Sequence, residues 1–323
     1  MRLGFSIRVY GCPDLPSYDA RPWYREPHLS VSLAYLHDIL RYLQANDIHM
    51  YRMHSRLLPR PADNEATDCR AQIEECASQL AALGKLAREA DVRLSFHPYS
   101  IVLLSALNEE QASRSGVHLE TQAALMDAMA LGDEATIVVH VGGIYEGAAA
   151  AGERFIRRYE ALPGEVRRRL ALENDDRCFS HADVWAIHQK CGVRLVFDQL
   201  HHLVLNPGGI PMREALEHSL RTWPEDLTPK IHFSSPRTEM RPLKGSSRIK
   251  VPSWTEHSDF VDPFSFIAFM RMAEGLRAFD VMLEGKARDL AVLKLREDLQ
   301  RFAPELAKRI LWRPGVRRAQ EGS

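Results

Sequence analysis

The chain has 323 residues, of which 45% are hydrophobic and 26% charged, the balance of an ordinary globular protein, which excludes a disordered or collagen-like chain. Lys and Arg number 42 against 43 Asp and Glu, so a wholly basic nucleic-acid coat is excluded, while a local basic groove remains allowed. No run approaches the roughly 18 apolar residues of a membrane span, the first residues lack a leader's apolar core, and the five scattered cysteines form no CxxC pair. These features predict a cytoplasmic, intracellular protein with no membrane partner, no disulfide framework and no zinc knuckle.

Eight β-rich runs recur in chain order: RLGF, IHMYRM, VRLSFH, TIVVHV, RLALEN, RLVFDQ, KIHFS and FDVMLE. Between them lie helical patterns with apolar spacings of three and four, as in Leu33, Leu36, His37, Leu40 and Leu43, or Leu80, Leu83, Leu86 and Ala87. Strand and helix alternating eight times predict a single α/β domain, a (β/α)8 TIM barrel over residues 1–290. A doubly wound open sheet is the competing fold. It is disfavoured because no GxGxxG or GxxxxGK[ST] turn follows any strand, which also predicts no nucleotide cofactor.

Three long loops stand out, at residues 11–30 with Tyr18, Trp23 and Tyr24, at residues 55–68, and at residues 234–255. The third holds Arg237, Arg241, Lys244, Arg248 and Lys250 against the single acid Glu239, a net charge of +4. Residues 291–323 read as a helical, basic tail that extends the barrel, frayed from about Pro314, and the alanines at 148–151 read as a helix start.

Chemistry concentrates where the strands end. His97 follows strand three, His140 strand four and Glu173 strand five; Asp198 and His201 follow strand six, Lys230 and His232 belong to strand seven, Glu284 ends strand eight, and His257 lies in the loop after strand seven. Taken singly, each histidine has an ordinary reading as a satisfied core residue. Together, so many buried ionisable groups at one barrel mouth demand partners, and divalent metals are the simplest. Imidazole with carboxylate suits Zn2+, Mn2+ or Fe2+ better than Ca2+, and the number of ligands predicts two or three ions. Such a cluster suits displacement at phosphorus, with sugar isomerisation as the alternative chemistry. Lys230 repels cations as an ammonium, but serves if burial strips its proton or CO2 converts it to a carbamate. His202 is second to the ligands or structural. Asn174, Asp175, Asp176, Lys286, Tyr51, Arg52 and His54 either contact phosphate, orient ligands, or form rim salt bridges.

The strings LENDD at 172–176, FDQLHH at 197–202, KIHFSSPR at 230–237, HSDFVDP at 257–263 and MLEGK at 282–286 together resemble the UV damage endonuclease family, in the family's order and over roughly residues 2–290. The resemblance implies a TIM barrel related to endonuclease IV and xylose isomerase, with up to three divalent ions, usually manganese (Zn2+, Fe2+ or Mg2+ being the other candidates), that nicks duplex DNA immediately 5′ of a UV photoproduct. It assigns metal binding to His97, His140, Glu173, Asp198, His201, His232, His257 and Glu284. Catalysis falls on Lys230, Glu173 and His232, with Lys230 matching a lysine that can be carboxylated. Tyr99, Ser100, Arg52, Arg237, Lys244 and Lys286 are the expected DNA contacts, and the expected protein is a nucleoid-associated monomer.

Two departures stand out. The family's Gln and aromatic pair after the third-strand histidine, which wedges into the lesion, is replaced here by Pro98, Tyr99, Ser100 and Ile101, and the first strand's Gly4, Phe5, Ser6, Ile7 lacks a tyrosine hydroxyl. Tyr99, or Tyr18, Trp23 and Tyr24, could supply a substitute by stacking. The loss also motivates an alternative function on a small molecule, as a sugar isomerase, epimerase or tailoring enzyme, and a third as an idle damage-binding protein.

Overall fold

Each of the eight β-rich runs becomes a strand in the computed structural model, which describes residues 1–59, 67–243 and 245–311. In chain order these are β1 (Leu3–Ser6), β2 (Met50–Arg52), β3 (Arg93–Ser95), β4 (Ile137–Val139), β5 (Leu170–Glu173), β6 (Arg194–Val196) and β7 (Lys230–Phe233). Two short hairpin strands follow, β8 (Arg241–Pro242) and β9 (Ile249–Lys250), before β10 (Asp280–Leu283) supplies the eighth predicted run. Every residue of β1 to β7 and of β10 is buried, as expected of parallel strands covered on both faces.

The strands form two parallel arcs, one of five in the order β3-β2-β1-β10-β7 and one of three in the order β4-β5-β6. Single parallel bridges, Phe96 to Ile137 and Asp198 to His232, join strands of the two arcs. The register across β10 and β7 pairs Asp280 with Lys230 and Met282 with His232, so Lys230 and His232 point to the same side of their strand.

Helices cover the strands with the predicted stripes, with one correction. In the helix Leu29–Ala45 the buried residues include Leu29, Leu33, Leu36, Leu40 and Leu43, while His37 faces solvent, because the position after Leu36 is turned about 100° off the stripe. In the helix Ala77–Glu89, Leu80, Leu83 and Ala87 are buried beside Gly84, where a Cβ would lie 1.7 Å from the Met129 carbonyl oxygen, so only glycine lets these elements approach. The alanine run opens the helix Ala148–Ala161. The helix Asp289–Phe302 runs unbroken through residues 290 and 291 and buries Ala291, Val292, Leu295 and Leu299. Leu311 N donates to the Met1 carbonyl at 2.9 Å, and Pro314 lies outside the described residues. Among the described residues no helix is long and apolar enough to cross a membrane.

Candidate metal centre

Strand ends place the predicted ligands because each polar residue follows a run of apolar ones that anchors it. Glu173 is the last residue of β5, Asp198 comes two residues after β6 and caps the helix Gln199–Val204 by accepting from His201 N at 2.8 Å, and Glu284 directly follows β10. His257 is brought in from its loop by an antiparallel bridge to Pro236.

Glu173 is the hub. Its carboxylate lies 3.0 Å from His97 Nε2, 3.6 Å from His140 Nε2, 2.7 Å from His232 Nδ1 and 3.8 Å from His201 Nδ1. Glu284 extends the cluster, 3.5 Å from His232 and 3.7 Å from His257. Two sets, His97 with His140 and Glu173, and Glu173 with Asp198, His232 and Glu284, each offer donor atoms lying within 4.8 Å of one another. All eight positions singled out in the sequence therefore meet. Lys230 opens its strand instead of ending it, so its amine rises from one layer below the other groups.

The hydrogen-bond network fixes which ring atoms face inward. His201 Nδ1 donates to the Asn174 carbonyl at 2.9 Å and His257 Nδ1 to the Glu284 carbonyl at 3.0 Å, so Nε2 is the ring nitrogen that each leaves for an ion, the usual orientation of metal-binding imidazoles. Asn174 also brackets the Asp198 backbone, donating to its carbonyl at 3.0 Å and accepting from its N–H at 2.9 Å. Asp198 Oδ2, His140 Nδ1 and Lys230 Nζ are buried without a hydrogen-bond partner among the described residues.

The electrostatics are those of a crowded low-dielectric site. Burial raises the Asp198 carboxyl, with Glu173 and Glu284 adding to the rise against His201. Burial also acts to raise Glu173 and Glu284, but the His232 and His140 charges on the one, and Arg52 and His232 on the other, hold both carboxyls below the usual range. Burial opposes protonation of His201, yet Asp198, Glu173 and Glu284 together carry it up to about 10. Burial, then the Arg93 and Arg52 charges, push the Lys230 amine well below its ordinary value. Three carboxylates this close repel one another unless positive charge lies between them. Their oxygens, the inward imidazole nitrogens and the orphaned atoms form a donor set that fits divalent ions of the imidazole-accepting kind.

The expected DNA contacts divide. Arg52 is a buried member of the cluster, donating to Glu284 Oε1 at 2.5 Å and His232 Nε2 at 3.0 Å, the ligand-orienting arrangement that is one of the readings of its sequence position. Arg237 is buried and paired with Glu256 at 2.5 Å. Lys286 is half-buried near the same glutamate, where burial lowers its pKa. Lys244 lies outside the described residues. Tyr99 lines both a groove of about 750 Å³ and a smaller cavity of about 240 Å³ that reaches His97 and His140 and is also lined by Ser100.

Tyr99 is braced by contacts that no local pattern in the sequence reveals. His54 Nδ1 accepts from Arg56 N at 3.0 Å, so its Nε2 carries the proton and donates to the Tyr99 hydroxyl at 3.0 Å, freeing that hydroxyl to donate outward. Burial, with the Arg56 and Arg8 charges, lowers His54 to about 4, which keeps this arrangement neutral. Tyr18 stacks on His54 at 4.0 Å between ring centres. Asp289, also unsuspected from the sequence, pins the first loop by accepting from Tyr10 N, Gly11 N and the Tyr42 hydroxyl.

Comparison with known proteins agrees with this geometry. Residues 28–309 match the family described as UV-endonuclease UvdE. A UV DNA damage endonuclease of Bacillus mycoides (strain KBAB4) is 31% identical over 259 residues, covering 80% of this chain and 77% of that protein. One of Bacillus cereus (strain G9842) is 29% identical over 263 residues, 81% of this chain and 78% of the relative. The crystal structure of SacUVDE superposes with a TM-score of 0.76 at 27% identity, covering 93% of this chain and 98% of that one. The 3-keto-D-glucoside 4-epimerase YcjR of E. coli shares the fold alone, with a TM-score of 0.55 at 12% identity over 92% of this chain and 99% of that one.

Proposed function

The chain belongs to the UV-endonuclease UvdE family, and on that premise we propose how it works as a DNA repair endonuclease. It hydrolyses the phosphodiester 5′ of a UV photoproduct in duplex DNA, using two or three divalent ions, manganese foremost, held by His97, His140, Glu173, Asp198, His201, His232, His257 and Glu284. The observation that carries this is the convergence of three buried carboxylates with inward-facing imidazoles and an orphaned Asp198 oxygen. The two arcs, bridged at both junctions, are read as one (β/α)8 barrel with the cluster at the C-terminal mouth of its strands.

When bound, the ions supply Lewis acidity toward phosphate oxygens and acidify a water molecule. The chain's own residues prepare the site. Arg52 keeps Glu284 and His232 from turning away, and Asn174 sets the Asp198 backbone and the His201 tautomer. Lys230, whose buried amine is held well below its ordinary pKa by burial and the Arg93 and Arg52 charges, gives up its proton more readily in favour of an ion or of carboxylation, and with Glu173 and His232 is assigned to catalysis. The freed Tyr99 hydroxyl donates to DNA beside the lesion. Residues 1–290 act as the catalytic barrel with 291–323 as its basic extension, the protein working as a monomer on intracellular DNA.

The test is nicking of an end-labelled duplex carrying one thymine photodimer, with Mn2+ or EDTA, beside the undamaged duplex. The expected result is a metal-dependent cut just 5′ of the dimer. Metal-loaded protein that cuts neither duplex would overturn the reading.

A further inference from the structure

The hairpin of β8 and β9 is built inside out. Its register pairs Arg241 with Lys250 and Pro242 with Ile249, and alternation then places Met240, Pro242, Ile249 and Val251 on one face, with Arg241 and Lys250 on the other. The basic face is tied to the body of the protein, Arg241 to Asp259 at 2.7 Å and Lys250 to Glu256, which also holds Arg237. The apolar face points outward, with Met240 66%, Ile249 61% and Val251 68% exposed, and Trp254 just beyond is 74% exposed. Soluble proteins rarely leave such a cluster uncovered without a partner.

Its position selects the partner. The Pro236–His257 bridge and the backbone bond from Lys286 N to the Ser258 carbonyl fix the hairpin's base against the candidate metal centre. Exposed Arg248 lies on the hairpin, and half-buried Lys286 lies at its base, complementing a polyanion. Apolar side chains amid cations are the means by which proteins enter the minor groove and unstack a base step.

We propose that this hairpin is a DNA wedge, in which Ile249, Val251 and Trp254 pack against bases unstacked beside the scissile phosphate while Arg248 and Lys286 hold the flanking backbone. The proposal rests on the endonuclease reading and gives lesion opening to a segment remote in sequence from Tyr99. A weakly stacked, damaged step is the preferred substrate because it opens at lower cost.

The test uses the full chain and a duplex with a photodimer flanked by 2-aminopurine, whose emission rises on unstacking. Trp254→Ala and the double variant Ile249→Ser with Val251→Ser, each shown by thermal melting to be folded, should bind about tenfold more weakly and lose the emission rise, with an unchanged salt slope. Arg248→Ala should keep the rise and flatten the salt slope by about one. Parent-like binding and emission from both apolar variants would overturn the wedge. So would a parental dimer in sedimentation that the double variant splits, which would assign the face to a second copy. A parent that binds and unstacks the duplex but does not nick it counts against the endonuclease reading and supports the wedge, so the two failures are distinguishable.

Discussion

Both ends of the strands bury charge, and they do so in opposite ways. At the starting end, guanidinium groups are spread over carbonyl and carboxylate oxygens. Arg93 reaches the Glu134 and Thr228 carbonyls and Asp280 at 3.0 Å, Arg169 reaches Asp127 and the Gly132 and Leu131 carbonyls, and Arg2 joins Asp280 to Asp91. At the finishing end, three carboxylates lie against imidazoles and against one another. Burial alone therefore does not mark a site. Orphaned atoms do not mark it either, since Arg93 Nη2 and Arg2 Nε lack partners among the described residues just as Asp198 Oδ2 does; what marks it is like charge gathered within reach of a single ion.

The most direct way to break this contrast is Glu173→Gln, which keeps the size of the hub and removes its charge. Nicking should fall by at least about a thousandfold while the melting temperature of metal-free protein holds or rises, both read on one preparation. Arg93→Met should do the reverse, losing about 3 kcal/mol in urea unfolding by leaving Asp280 to Arg2 alone and the Glu134 and Thr228 carbonyls without their donor, with the nicking rate per folded molecule unchanged. Lys230→Met decides to which end the intermediate layer belongs. Replacing a buried amine that has no partner among the described residues with an apolar isostere should leave stability unchanged or raised, whereas nicking should drop by about ten- to a hundredfold, equivalent to about 1.4–2.8 kcal/mol.

The smallest expected effect concerns pH. Burial lowers the pKa of His97 and His232, and of His181, which is pushed down to about 3 first by burial and then by His202 and His218. The unfolded imidazoles take up protons near 6.5, so the stability these residues allow is present above that pH and is lost as the pH falls toward their folded values. His201 has the opposite sign, stabilising below 6.5 and losing that contribution as the pH rises toward about 10. Urea midpoints of metal-free protein should fall between pH 7.5 and 5.5, and fall less in His181→Phe, a residue outside the ligand set whose ring packs on Phe197 and His202. An equal fall in the two proteins would show that the acid sensitivity lies wholly in the cluster.

Most of the cluster was legible in the sequence because it obeys a local rule, a polar residue just after an apolar run, as with His140 after Ile137–Val139 or Glu284 after Asp280–Leu283. Lys230 fitted that rule poorly. It opens the run KIHFS, so a rule that picks out strand ends points to its face-sharing neighbour His232 instead of to the lysine. For Arg52 the sequence leaves phosphate contact, ligand orientation and a rim salt bridge open together, because its partners lie 180 and 232 residues away. The Tyr18, His54 and Tyr99 stack joins three separate segments, and the reversed faces of the hairpin depend on a register that a loop rich in Arg and Lys does not disclose.

The bridge between Asp198 and His232 has a mechanical consequence. In the proposed ligand set, His97, His232 and Glu284 belong to the five-stranded arc, and His140, Glu173, Asp198 and His201 to the three-stranded one. Ions gripping both arcs would act as a clasp across a joint that the backbone secures with a single pairing. Loading and emptying the centre should then register as slowed and hastened amide exchange along that joint, making the molecule's cohesion a gauge of its readiness to cut.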